Sequence, residues 1–166
     1  MSGVAVVIRR LESEDEARGC ARIMAGSEPW VTLGRSYERS LEIVRDPARE
    51  VSVAVDDGGV LGFVIVCMVG AFVGYIQTVA VSDAARGHGL GTRLVEHAER
   101  RIFRDSPNVF LCVSTFNPDA RRLYERLGYS AVGELTEYLI PGHGELLLRK
   151  SRGPWSTFTP ASEVDV

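Results

Sequence analysis

The stretch Val79-Ala80-Val81-Ser82-Asp83-Ala84-Ala85-Arg86-Gly87-His88-Gly89-Leu90-Gly91-Thr92 decides how this chain is read. An alternating apolar strand feeds a glycine-rich turn, and the turn opens a helix whose apolar stripe is Leu90, Leu94, Ala98 and Ile102, with Val95 beside it. The first N–H groups of a helix have no carbonyl partner within it, and the helix dipole makes that end positive. A strand-turn-helix of this kind is therefore a seat for an anion, and phosphate is the usual occupant. Glycines at 87, 89 and 91 let the backbone come close to such a group, and Arg86 adds a cation. The plain alternative is a tight connection with no ligand. Two common phosphate motifs are excluded. No Gly-Lys is followed by Ser or Thr, and Thr92 stands where a dinucleotide fingerprint needs its third glycine.

Downstream, Val109 to Ser114 reads as a buried strand. Asn117-Pro118-Asp119 then opens a helix: Asn as cap, Pro in the first turn, Asp at the positive end of the dipole. Ala120, Leu123, Tyr124 and Leu127 form its inner stripe, and Gly128 ends it. Strands at about Ala131 to Ile140 and Glu145 to Lys150 follow. Upstream, Ala5 to Leu11 reads as a strand. Ser13 caps a helix to Ala25, with Glu16 at capping-box spacing, and Ser36 to Arg45 forms a second helix. The strand of Val51, Val53 and Val55 meets the turn Asp56-Asp57-Gly58-Gly59, and Val60 to Val69 runs apolar enough to be buried on both faces. The order β-α-α-β-β-β-α-β-α-β-β describes an α/β (α+β) fold. Its sheet is mixed and mostly antiparallel, with about seven strands and about four helices, and is not a doubly wound parallel sheet.

With 166 residues, 45% hydrophobic and 25% charged, the chain has the size and balance of one domain. Residues 1–150 carry the pattern, and 151–166 read as an arm or a disordered tail. A net charge of −3 argues against nucleic acid as a partner. No apolar run is long enough to span a bilayer. The basic residues at Arg9 and Arg10 follow the first apolar stretch, the reverse of a signal peptide. Cys20, Cys67 and Cys112 are too few and scattered for a disulfide framework or a metal site. They are expected as buried thiols in a reducing, cytoplasmic compartment.

Together, Arg86-x-x-Gly89-x-Gly91 after a strand and Asn117 through Ala120, Leu123-Tyr124 and Gly128-Tyr129 after the next strand resemble the two signatures of the GCN5-related N-acetyltransferases. The similarity covers about Val51 to Lys150. It implies an acyl-CoA N-acyltransferase fold in a single domain. It also implies acetyl-CoA as co-substrate, an amine acceptor, no metal, no nucleic acid or membrane partner, and a possible homodimer. In that family the cofactor's pantetheine arm pairs with backbone of the fourth strand, here Val79, Ala80 and Val81. The pyrophosphate rests on amides of Arg86, Gly87, His88, Gly89, Leu90, Gly91 and Thr92, and Asn117 holds the arm near its thiol.

The resemblance makes Tyr124 the acid that meets the leaving thiolate, while periodicity alone would make it a core residue. Many members carry a glutamate early in the fourth strand; here Tyr75 stands there. Glu28, in the loop between the first two helices, is the candidate base, with a solvated loop acid as the alternative reading. Trp30, Tyr37 and Tyr75 are expected at the acceptor side. Arg121, Arg122 and Arg126 are either contacts for the 3′-phosphate or a solvated helix face. The missing acid also keeps open a non-catalytic acyl-CoA sensor or interaction module with the same fold.

Overall fold

The computed structural model describes residues 5–161. The chain runs β1 (Val7–Arg10), α1 (Glu14–Ala25), α2 (Tyr37–Arg45), β2 (Glu50–Asp56), β3 (Gly59–Cys67), β4 (Tyr75–Val81), α3 (Leu90–Ile102), β5 (Asn108–Ser114), α4 (Pro118–Arg126), β6 (Ser130–Leu135) and β7 (Glu145–Ser151). The seven strands hydrogen-bond in the order β1-β2-β3-β4-β5-β7-β6. Strand β1 is antiparallel to β2, and β7 is antiparallel to both β5 and β6. Strands β4 and β5 are parallel, as a strand-helix-strand crossover through α3 requires. This is the mixed sheet with four helices that the order of elements predicts.

Two compact units make up the chain. The first takes the chain as far as Ile65 and then Thr78–His97. Its core joins Ala17, Cys20 and Met24 of α1 to Ile43 and Val44 of α2, Val51 and Val53 of β2, Phe63 and Ile65 of β3, and Ala80 of β4. Full burial of side chains such as Met24 or Phe63 contributes about 1.5–3 kcal/mol each. The helix starts are set locally. Ser13 Oγ accepts from Glu16 N–H at 3.2 Å, and Ser36 Oγ accepts from Arg39 N–H at 3.2 Å. Glu16 reaches back to the Ser13 backbone, as its capping-box spacing predicts. Its carboxylate takes the Glu12 N–H at 2.8 Å and the Arg9 guanidinium at 2.7 Å, and so ties α1 to the end of β1.

The second unit takes Val66–Gln77 and the chain from Ala98 onward. Strands β5 and β7 pair along their whole lengths, from Asn108↔Ser151 to Ser114↔Glu145. Val109, Leu111, Val113 and Leu148 are buried on one face of that pair. Lys150 Nζ reaches the buried Glu99 carboxylate of α3 at 2.8 Å and lies over the Tyr129 ring. Strand β6 is the edge, with every residue exposed. It stops at Leu135, not at Ile140, because Glu137 takes a left-handed φ of 55° that extended backbone cannot contain. Helix α3 begins at Leu90, whose side chain is buried.

The described part of the segment read as an arm or a disordered tail is tied back to the chain by backbone hydrogen bonds. Arg152 N–H donates to the Pro107 carbonyl at 2.8 Å and Ala161 N–H to that of Arg104 at 2.9 Å. The Arg152 guanidinium lies 3.9 Å from the centre of the Phe103 ring. The end of the predicted tail, residues 162–166, lies outside the described residues. All three cysteines are free thiols; only Cys20 is buried, while Cys67 and Cys112 are half-buried, contrary to expectation.

Gly74 fixes where β4 begins. It has a φ of 91°, and its carbonyl accepts from Phe110 N–H at 2.9 Å. A Cβ there would lie 2.5 Å from both the Asn108 carbonyl oxygen and Ile102 Cγ2. Gly74→Ala should therefore destabilise the protein by roughly 2–4 kcal/mol, through left-handed strain and overpacking together. Denaturant titration checks this, and an unchanged midpoint would contradict it.

Candidate active site

In the first unit, β4 ends at Val81 and passes through a 3-10 turn at Asp83–Ala85 to the start of α3. Gly87 and Gly89 both sit in the left-handed region, at φ 78° and 77°. A Cβ on either would meet nothing within 4 Å, so glycine is needed here for backbone angle and the space in front of the turn is open. The helical ladder starts with Arg93 N–H to the Gly89 carbonyl at 3.1 Å. The amides of Leu90, Gly91 and Thr92 precede that bond and are the positive end of the helix. Two left-handed glycines followed by a helix start are the backbone features from which anion-binding nests are built. Such a nest fits a diphosphate.

Arg86 is partly engaged by the turn itself. Its Nε donates to the Val81 carbonyl at 3.2 Å, and it pairs with Asp83 at 3.0 Å. The guanidinium remains half exposed, so it shapes the turn and still presents charge. His88 is exposed. Val79 and Val81 are half-buried and Ala80 is buried in the core. Parallel pairing of β4 with β5 takes in Tyr75↔Phe110 and Ile76↔Leu111, whereas β4 itself continues to Val81.

Also in the first unit, Trp30 is 9% exposed and packed in the core. The Glu28 carboxylate is exposed and accepts from Thr32 N–H at 3.2 Å, holding the turn after α1. Tyr37 is half-buried at the first position of α2. His97 Nε2 lies 3.1 Å from Ser52 Oγ.

In the second unit, Asn117 caps α4, its side-chain oxygen accepting from Ala120 N–H at 3.3 Å. Its own N–H donates to the Ser114 carbonyl at 2.9 Å, which ties the helix start to the end of β5. Tyr124 is 8% exposed, with its ring edge-on to Tyr129 at 5.8 Å. Burial pushes its phenol up to about 12. A phenol in that environment keeps its proton at neutral pH, the state a proton donor needs. Arg121 pairs with Glu125 at 2.8 Å and Arg122 with Asp119, which is the solvated-face arrangement.

A polar cluster that includes Ser114 and Glu145, which the sequence did not single out, lies on three strands of this unit. Glu145 opens β7 directly opposite Ser114 of β5. Both are buried, at 5% and 4% exposure, and the Ser114 hydroxyl donates to Glu145 Oε1. Tyr75, the first residue of β4, is half-buried and donates its phenolic hydrogen to the Cys112 thiol. Burial raises the Tyr75 phenol far above its usual range and raises the Cys112 thiol, with the negative charge of Glu145 adding to both. Burial also raises the Glu145 carboxyl, and the Ser114 hydroxyl partly opposes this. The only sequence signal was an acid ahead of the apolar run Leu146-Leu147-Leu148. Its partner is 31 residues away, and only the strand register brings the two together. Among the described residues no group of three or more His, Cys, Asp or Glu side chains is placed to hold a metal ion, and no helix is long and apolar enough to cross a membrane.

Comparison with known proteins agrees with this geometry. A sequence model of the acetyltransferase (GNAT) family matches residues 18–129. The N-alpha-acetyltransferase 40 of Saccharomyces cerevisiae is 34% identical over 136 residues, 68% of this chain and 45% of that protein. An acetyltransferase of Agrobacterium fabrum is 32% identical over 103 residues, covering 62% of this chain and 68% of that protein. The chain thus spans less than half the length of the yeast relative. Arabidopsis thaliana NAA60 in complex with acetyl-CoA superposes with a TM-score of 0.74 at 17% identity, over 89% of this chain and 99% of that one, a likeness of fold.

The buried Glu145 carboxyl has a stability consequence. Its folded-state pKa lies above the ordinary 4.5, so the fold favours the protonated acid. Its contribution to stability is complete below the unfolded pKa and is lost as pH rises through the folded one. The melting temperature of Glu145→Gln relative to wild type should therefore climb as pH rises above 4.5. An offset that does not change with pH would show that this carboxyl titrates normally.

Proposed function

The chain belongs to the acetyltransferase (GNAT) family, and from that premise we propose that it is an N-acetyltransferase carrying an acetyl group from acetyl-CoA directly to an amine nitrogen. The observation that carries the reading is the open nest of amides at Gly87–Thr92, with Gly87 and Gly89 held left-handed. The diphosphate of the donor sits on those amides, and Arg86 adds its charge. The pantetheine arm runs along β4 at Val79 and Val81 as an added strand, paired through backbone. Asn117 meets the arm near its thiol end. This placement follows the family resemblance and is supported by the open turn.

The chemistry follows from those positions. The acceptor arrives as an ammonium ion and must lose a proton before its lone pair can attack the thioester carbonyl. The carbonyl oxygen gains charge in the transition state, and in this reading the Val79 N–H donates a hydrogen bond to it. On collapse the C–S bond breaks, and Tyr124 gives its proton to the departing thiolate. The tyrosine is recharged by the second proton of the new amide nitrogen. Every atom is then accounted for: amide, free thiol and one proton released. Tyr37, Tyr75 and the exposed Glu28 belong to the acceptor side in this reading. The name of the yeast relative points to the α-amine of a polypeptide as the acceptor class. Three free thiols suit the reducing cytoplasm.

Acetyl-CoA offered with peptide N-termini, a polyamine and an aminoglycoside tests the activity by thiol release and product mass. At least one acceptor should gain an acetyl group; binding of acetyl-CoA with no transfer to any would support a sensor instead. Tyr124→Phe should lower kcat by on the order of 10²-fold while CoA affinity stays within about threefold. Unchanged kcat would remove Tyr124 from the acid role.

A further inference from the structure

The acceptor's proton needs a destination, and the start of β4 offers the phenol of Tyr75 where a carboxylate would serve. Building on the acetyltransferase reading, we propose that Glu145 is the base that takes the proton from the acceptor ammonium, with Ser114 holding its carboxylate in place.

Three observations point there. The first is energetic. A buried carboxylate is costly unless a cation or several donors meet it. Glu145 is 5% exposed, yet its partner is the neutral Ser114 hydroxyl, and among the described residues no cation pairs with it. A site short of one positive charge is suited to receive one, and an ammonium ion supplies it. The second is position. Glu145 faces the carboxyl end of β5, the end of a parallel strand where open sheets take their ligands. The Ser114 carbonyl accepts from Asn117 N–H at 2.9 Å, and Thr115 N–H donates to the Gly144 carbonyl at 3.0 Å. One residue, Ser114, thus links Glu145 to Asn117, which the donor reading puts beside the thiol.

The third is chemical. The groups around the carboxylate are Ser114 and Cys112 on β5 and Tyr75 on β4, with Tyr138 acting on Tyr75 from the segment before β7. The Glu134 carboxylate of β6 packs against the adjacent Gly144. His143 also adjoins the site in sequence, but its ring stacks edge-on against Phe116 at 4.9 Å. Two acidic side chains and the phenolic oxygens of Tyr75 and Tyr138 make a surface suited to a cation. Burial strengthens the base, because a desolvated carboxylate holds a proton more tightly than an exposed one. The step balances: the N–H bond of the ammonium breaks, its electron pair stays on nitrogen, and the proton joins a Glu145 oxygen. Glu145 later returns that proton to water.

The experiment uses the full chain with the fastest acceptor of the peptide, polyamine and aminoglycoside panel. Glu145→Gln keeps the shape and the Ser114 bond but cannot take a proton. We expect CoA affinity unchanged and kcat/KM near neutral pH reduced by on the order of 10²-fold. The deficit should shrink as pH approaches the acceptor's own pKa, where free amine forms without help. Ser114→Ala removes the bond that lowers the carboxyl pKa, so the acid limb of its pH–rate profile should move to higher pH, a shift that a packing role would not cause. A Glu145→Gln enzyme within about threefold of wild type and with the same profile would overturn the assignment, as would an unmoved acid limb in Ser114→Ala. If wild type itself transfers acetyl to none of the acceptors, the acetyltransferase reading falls, and this one with it. An active wild type with an equally active Glu145→Gln removes Glu145 alone.

Discussion

An α-helix cannot satisfy its own first N–H groups, and in this protein α3 begins at a turn that leaves them facing open space. Two glycines at φ 78° and 77° give the turn backbone angles that other residues rarely adopt. The buried stripe Leu90, Leu94, Val95, Ala98 and Ile102 then fixes the helix against movement. Because the helix is anchored by its apolar face, its N-terminal charge points in a constant direction. Binding of an anionic donor at such a place depends on backbone, so side chains in the turn are free to vary in a way that the two glycines are not.

In the second unit, burial acts on two titratable side chains. Tyr124 and Glu145 are both removed from water, and removal favours the neutral form of each. The consequences are opposite in use. A phenol kept protonated is ready to donate, and a carboxylate with raised proton affinity is ready to accept. Two titratable groups in one unit, each shifted by desolvation, suit the acid and base roles proposed for them without any unusual residue. The cost falls on the fold, which keeps a carboxylate beside a hydroxyl where an apolar pair would be more stable.

Local chemistry was legible in the sequence and tertiary register was not. Ser13 and Asn117 were readable as caps because a cap depends on residues two or three positions away. The glycine turn and the α3 stripe were readable for the same reason. The end of β6 was missed because Glu137 adopts a left-handed angle that no local pattern announces. Trp30 was assigned to the acceptor side from its chemistry; its burial is decided by α1, α2 and β3. The described part of the tail is held by the carbonyls of Pro107 and Arg104, far away in sequence. Glu145 depends entirely on lying opposite Ser114 across two strands, so neither residue alone carried a signal.

The central claim is that backbone amides after Val81 hold the diphosphate of coenzyme A. Amide chemical shifts in a 15N-labelled sample titrated with coenzyme A test it most directly. The account predicts the largest changes at Gly87 to Thr92 and along β4 to Val81, with downfield movement of the first α3 amides as they gain an acceptor. Saturable changes confined to other segments, with these amides unmoved, would contradict it.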